Sequence, residues 1–275
     1  MSIFFAYNDK IYEDGTAVIG PDNRSLRYGD GLFETMKVIN GKIRLGDYHF
    51  ERLFSGMKIL QFEIPGYFTA SYLENKIAEL CKKNQHSSAR VRLMVFRGNG
   101  GLYDAENKPN YIIQSWDVEH AEELNSNGLV LDVYSDAKKS CDKFANLKTN
   151  NFLPYVMAAL YIKQVNVNDC IVLNNYDRIC DTTIANIFII KDGIVYTPSL
   201  SEGCIAGVMR RFIIEKLLQS DIQIIEKPVT VEELENADEV FITNAIKEIR
   251  WVKRFKDIEY KNKLIQEVWN LIKKT

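Results

Sequence analysis

The 275 residues contain no CxxC pair. The five cysteines (Cys81, Cys141, Cys170, Cys180, Cys204) are odd in number and widely spaced. That excludes a zinc ribbon or a thioredoxin-like redox pair and leaves buried thiols in a reducing cytosol. Histidine is scarcer: His49, His86 and His120 form no metal-ligand spacing, and no metal is expected. An excess of one charge is also missing. Lys plus Arg number 35 and Asp plus Glu 37, a net charge of -2, so nothing draws the chain to nucleic acid or to an anionic membrane. Apolar runs are short, as at Ile187 to Ile190, against the ~20 residues of a spanning helix. The opening stretch MSIFFAYNDK has no basic region ahead of an apolar core, so no signal peptide and a cytoplasmic location are expected. What is present, 46% hydrophobic and 26% charged residues, is the composition of a globular protein of one large or two medium domains.

The pattern along the chain mixes strand and helix signals. Ile3 to Tyr7, Thr35 to Ile39, Lys42 to Leu45, Ala89 to Phe96 and Tyr111 to Trp116 read as strands, with Asn40-Gly41 a hairpin turn. His49 to Leu60, with Asp47 as N-cap, and Tyr72 to Lys83 have helical spacing. Residues 117–128 are polar and without period, which places a linker there between a small domain, 1–116, and a large domain, 129–275. Beyond it, Leu129 to Tyr134, Asp169 to Asn174, Ile187 to Lys191, Ile194 to Thr197 and Val240 to Thr243 read as strands. Asn151 to Val165, Val208 to Gln219, Val231 to Asn236 and Asn262 to Lys274 read as helices, the last with Asn262 as N-cap. No regular βαβ alternation runs through either half, so the fold class is α+β.

Three features carry possible chemistry. Lys148 follows a loop and precedes a helix, where the positive end of the dipole disfavours an ammonium. A random lysine there is a surface lysine. Asp181 lies five residues before Asn186, which opens an apolar strand; alone, Asp181 to Asn186 is a turn. Gly203 to Arg211 leads through Gly207 into a helix, and free N–H groups there suit an anion; alone, it is a glycine boundary.

In order and spacing these features resemble the class IV aminotransferases, the pyridoxal-phosphate enzymes of fold type IV. That group includes branched-chain aminotransferases, D-amino acid transaminases and aminodeoxychorismate lyases. The resemblance runs through Tyr28-Gly29-Asp30-Gly31-Leu32-Phe33-Glu34 with Asn40-Gly41, and His49-Phe50-Glu51-Arg52-Leu53. It continues through Arg97-Gly98, Lys148 with Asn151, Asp181 to Phe188, Gly207 to Arg210, and Asp238 to Asn244. It implies a two-domain enzyme, with the larger C-terminal domain carrying the Schiff-base lysine, pyridoxal 5'-phosphate as cofactor, and a homodimer.

Residue by residue, the resemblance implies that Lys148 holds the cofactor and moves the α-proton. Arg52 binds the cofactor phosphate, together with the backbone at Gly207, Val208 and Met209 and the loop Thr243-Asn244. Met209 stands where the family often has Thr. Asp181 stands where the family usually has Glu, and pairs with the ring nitrogen. Phe33, Arg92, Arg97 and Ala245 face the substrate. Asn244 and Arg97 to Gly101 lean to the lyases; Glu34, Leu102 and Arg92 lean to transamination. Asp104 stands where D-specific enzymes place His. The expected activity is transfer of an amino group from an amino acid to a 2-oxo acid, with cleavage of aminodeoxychorismate as the alternative. Tyr155 and Tyr161 are expected in the core, and so are aromatics such as Tyr28 and Tyr103 where they do not shape a pocket.

Overall fold

The computed structural model describes residues 3–103, 106–118 and 123–273. Asp104, His120 and part of the expected linker lie outside them. The chain divides into two compact units: Met1–His120 with Lys148–Phe152, and Ala121–Leu147 with Leu153–Thr275.

The first unit contains β1 (Phe4–Tyr7), β2 (Lys10–Glu13), α1 (Arg24–Tyr28), β3 (Gly31–Ile39) and β4 (Lys42–Ile43). It continues with α2 (Gly46–Ile59), α3 (Ala70–Lys83), β5 (Ser88–Arg97) and β6 (Pro109–Asp117). The strands form one six-stranded sheet, ordered β2-β1-β6-β5-β3-β4, antiparallel at every pairing. Alternation decides the faces: Ala89, Val91, Leu93 and Val95 of β5 are fully buried, and Arg92 between them points the other way. Helix α2 packs on β3, and α3 on β1 and β6. The Asn40-Gly41 turn has positive φ at both residues, 49° and 77°, as its hairpin requires. Asp47 is not the N-cap of α2. That place belongs to Leu45, at φ 55°, and Asp47 sits in the first turn, where its charge still complements the dipole.

The second unit contains β7 (Leu129–Lys139), α4 (Leu153–Val165), β8 (Asp169–Asn174), β9 (Ile179–Thr182), β10 (Asn186–Lys191) and β11 (Ile194–Pro198). There follow α5 (Val208–Leu218), β12 (Ile224–Lys227), α6 (Val231–Glu235), β13 (Glu239–Asn244), β14 (Glu248–Phe255), β15 (Ile258–Glu259) and α7 (Lys263–Lys273). Its nine-stranded sheet runs β12-β11-β10-β13-β14-β7-β8-β9, with β15 on β14. Pairing is parallel at β11/β12, β14/β7 and β7/β8 and antiparallel elsewhere, which is the α+β class. The Ile179 N–H donates to the Val229 carbonyl at 2.8 Å, so the chain just past β12 lies along β9. Leu131, Ile171, Ile179, Ile187, Val240, Val252 and Phe255 fill the core under this sheet. Asn262 does not cap α7 with its side chain. The buried Glu239 carboxylate accepts from the N–H groups of Leu264 and Ile265 at 2.9 and 3.0 Å, closing the helix start from another element.

The segment at Lys148 departs from the expected boundaries. Phe33 N–H donates to the Lys148 carbonyl at 2.9 Å, and Asn150 N–H to the Gly31 carbonyl at 2.9 Å. Leu32 and Thr149 form a bridge. Residues 148–150 are therefore an extra stretch of strand on β3, and α4 begins at Leu153 rather than Asn151. This is why Lys148 lies with the first unit and not with the bulk of 129–275. Gly31 permits the approach: a Cβ there would stand 2.5 Å from both the Asn150 side-chain nitrogen Nδ2 and the Val95 carbonyl oxygen.

Candidate active site

In the first unit, β3 presents Phe33 and Glu34 in succession. A strand turns successive side chains to opposite faces, so the two open separate clusters. Lys148 Nζ lies 4.4 Å from the Phe33 ring centroid and 5.4 Å from that of Phe152. The Arg92 guanidinium lies 3.9 Å from the same Phe33 centroid. Half-burial and then the neighbouring Arg90 charge lower the Arg92 pKa. Three expected site residues, Phe33, Arg92 and Lys148, are thus in one place, the half-buried Arg92 guanidinium and the Lys148 ammonium both lying against the Phe33 ring.

On the other face, buried Glu34 accepts from Arg52 through Nε at 2.8 Å and Nη2 at 2.5 Å, and meets His49 Nδ1 at 2.6 Å. His49 and Arg52 are three residues apart, so they share one face of α2. Burial pushes the Glu34 carboxyl up, but the Arg52 charge and the His49 hydrogen bond outweigh it and hold it at about 2. The other nitrogen of His49, Nε2, is buried with no partner among the described residues. Arg52 is therefore aimed by Glu34, a residue of another element. Arg97 is elsewhere. Its Nη1 donates to Asp30 at 2.6 Å, its Nε to Asn107 at 3.0 Å and its Nη2 to the Leu60 carbonyl. Asp30 also takes Arg24 at 2.8 Å, so Arg97 belongs to a buried ion-pair cluster that ties the end of β5 to the turn before β3.

In the second unit Asp181 is buried on β9, and both its oxygens are engaged. Oδ1 accepts from Asn186 Nδ2 at 2.8 Å. Oδ2 accepts from Tyr155 Oη at 2.8 Å, the Ile205 N–H at 3.0 Å and Lys139 Nζ at 3.3 Å. Tyr155 is in the core as expected, yet it is also a partner of Asp181. Burial and then the Asp181 charge raise its phenol well above the ordinary value, so it stays a donor. Asn186 Nδ2 also reaches the Ile205 carbonyl at 2.8 Å, and Asn186 pairs with Thr243 across β10 and β13. Gly207, the N-cap of α5, fits against it: a Cβ at 207 would stand 1.9 Å from Asn186 Oδ1. The N–H groups of Val208 and Met209 open α5 without a protein acceptor among the described residues. The Met209 side chain is itself buried, so only its backbone is on offer. Thr243 gives its hydroxyl to the Glu248 carbonyl at 2.7 Å. Asn244 Oδ1 accepts from Ile246 and Lys247 N–H at 3.0 and 2.8 Å, which shapes the turn holding Ala245. Asp181, Gly207 and Thr243 are gathered around Asn186. A cavity of about 50 Å³ under that turn is lined by Ala185, Thr243, Asn244, Asp169 and Arg250.

Lys139 and the donor role of Tyr155 carry no local sequence signal. Glu34 does, because it is an acid at a strand position set between buried apolar neighbours.

The family model for amino-transferase class IV matches residues 31–255. An aminodeoxychorismate lyase of Bacillus subtilis is 29% identical, over 92% of this chain and 87% of its own length. A D-alanine aminotransferase of Bacillus licheniformis is 24% identical, over 88% and 85%. Among solved structures, the branched-chain aminotransferase of the thermophilic archaeon Thermoproteus uzoniensis with norvaline superposes with a TM-score of 0.86. It is 23% identical and covers 100% of this chain and 94% of that one. With the model matched over most of its length, the chain belongs to the class IV aminotransferases, a family of pyridoxal-phosphate enzymes.

Proposed function

We propose that this enzyme transfers an amino group from an amino acid to a 2-oxo acid, with pyridoxal 5'-phosphate held on Lys148. The observation that carries the reading is the pairing of Lys148 and Arg92 on the Phe33 ring. A lysine that handles the α-proton and a half-buried guanidinium that takes a substrate carboxylate are the two groups an amino acid substrate requires. The residues fit the cofactor. Arg52 is a guanidinium oriented by a buried carboxylate, and the first turn of α5 offers N–H groups to a phosphate. Asp181 is a buried carboxylate whose Oδ1 accepts one hydrogen bond from the protein, with capacity for one more.

Bound pyridoxal phosphate supplies an electron sink for the pair released when the α-proton leaves. Lys148 Nζ takes that proton and returns it. Asp181 Oδ1 would accept from the protonated ring nitrogen, and Arg52, Gly207, Val208, Met209, Thr243 and Asn244 would hold the phosphate end. Phe33, Arg92 and Ala245 orient the substrate; Arg97, engaged with Asp30, serves the substrate side by fixing the loop that follows it.

A second reading is aminodeoxychorismate lyase, supported by Asn244 followed by Ala245 and by the Bacillus subtilis relative. The same Lys148 step opens both reactions. No helix of the described residues is long and apolar enough to cross a membrane. The enzyme is proposed to act in the cytoplasm as a homodimer. Supporting the dimer, Leu153, Val156, Met157 and Leu160 stand exposed along one stripe of α4 at helical spacing. Incubation with single amino acids plus 2-oxoglutarate, and separately with aminodeoxychorismate, tests the reading. Glutamate formation is expected. Release of 4-aminobenzoate and pyruvate instead establishes the lyase, and no product from either overturns both.

A further inference from the structure

Strand β7 carries a register break. Tyr134 faces Val172 on β8, yet Lys138 faces Leu173, so residues 135–137 are bulged out of the ladder. Bulges re-aim side chains, and this one sets two consecutive lysines on opposite faces. Lys138 goes outward to Asp177. Lys139 goes inward, its side chain 10% exposed. An ammonium has three N–H donors, and Lys139 Nζ has three acceptors: the Gly203 carbonyl at 2.5 Å, the Ala145 carbonyl at 3.3 Å and Asp181 Oδ2 at 3.3 Å. It also lies 5.1 Å from the Tyr155 ring centroid.

The phenol and the buried thiols around Asp181 are held neutral, and Arg210, whose charge reaches Cys204, is paired with Glu226 at 2.5 Å. Burial, then the Asp181 charge, raises the Tyr155 phenol and the Cys180 thiol, and pushes the Cys204 thiol up to about 12. Among the described residues Lys139 is the cation paired with Asp181. A carboxylate that stabilises a protonated ring nitrogen does so by its negative charge, and a buried ammonium beside it opposes a second positive charge there.

We propose that Lys139 is a positioning and charge-setting residue for Asp181, one that weakens protonation of the cofactor ring nitrogen. The inference rests on the reading that Asp181 faces that nitrogen. Removing the Lys139 charge favours the protonated ring, so the pH at which the nitrogen loses its proton rises. An opposite charge next to a carboxylate commonly moves the carboxylate's own pKa by about 1–3 units, and the ring nitrogen beyond it feels a smaller part of that effect.

The test is the ¹⁵N chemical shift of ring-labelled pyridoxal phosphate bound to the full chain, followed from pH 6 to 10. Wild type, Lys139→Met, Lys139→Gln, Lys139→Arg and Asp181→Asn are compared. Lys139→Met is expected to move the midpoint up by a few tenths to about 1 pH unit, and Lys139→Arg to leave it near wild type. Lys139→Gln keeps a donor without the charge and gives the same answer where the methionine variant does not fold. If Asp181→Asn alters the ring signal but neither neutral variant does, Lys139 only ties the loops at Ala145 and Gly203, and the proposal fails. If Asp181→Asn leaves the signal unchanged, the reading of Asp181 fails first. A stability loss that Lys139→Arg rescues, with no movement of the midpoint in the neutral variants, also overturns the proposal.

Discussion

Replacing Glu34 by Gln removes a charge that Arg52 and His49 hold in a buried place, and its cost depends on pH in a defined direction. The carboxyl stands at about 2 in the folded protein against an ordinary 4.5. At about 1.4 kcal/mol per pH unit, that difference amounts to about 3 kcal/mol at neutral pH. The folded value is the lower one. The stabilisation is therefore fully present above pH ~4.5 and is lost as the pH falls through ~2. Urea unfolding of wild type and Glu34→Gln at pH 7, 5, 4 and 3, followed by circular dichroism, measures it. The pH-dependent part of the gap between them should be about 3 kcal/mol at pH 7 and about half that at pH 3. Leaving Arg52 without its carboxylate adds a loss that does not vary with pH over this range, so the decisive quantity is the narrowing of the gap. A gap of equal size at pH 7 and pH 3 would falsify the account of Glu34 as the ionised anchor of Arg52.

Lys148→Ala should abolish covalent retention of the cofactor, read by mass spectrometry after borohydride treatment, and lower turnover by at least ~10²–10⁴-fold; retained attachment and rate remove Lys148 from the site. Gly207→Ala drives a Cβ into Asn186 Oδ1 and should cost about 1–3 kcal/mol in thermal unfolding while weakening cofactor binding, whereas an unshifted melting temperature argues against this contact. Leu160→Glu, on the exposed stripe of α4, should turn a dimer into a monomer by analytical ultracentrifugation; a variant that sediments as wild type places the interface elsewhere.

What the sequence determined by itself was the local grammar and the identity of the reactive groups. Alternation on β5 set Val91 and Leu93 inward and Arg92 outward, and Asn40-Gly41 set the β3–β4 register, because both depend on neighbours one or two residues away. The order of Arg52, Lys148, Asp181 and Gly207 identified the family because each belongs to a short motif. Several elements went unread, β9, β12 and β14 among them, and these are short or carry charges within them. Arg250, Lys253 and Arg254 interrupt β14, whose place is fixed by β13 and β7 on either side. Only the tertiary structure decided which side chains meet. Arg52 could pair with Glu51 or Asp47 on its own helix but is held by Glu34 from β3, where burial makes the pairing strong. Lys148 joined the first unit because backbone hydrogen bonds to Gly31 and Phe33 outweigh its position in the chain. Asp181 gathers donors from four separate segments, at Lys139, Tyr155, Asn186 and Ile205. Buried polar groups find partners by proximity in space, and separation along the chain carries no information about that.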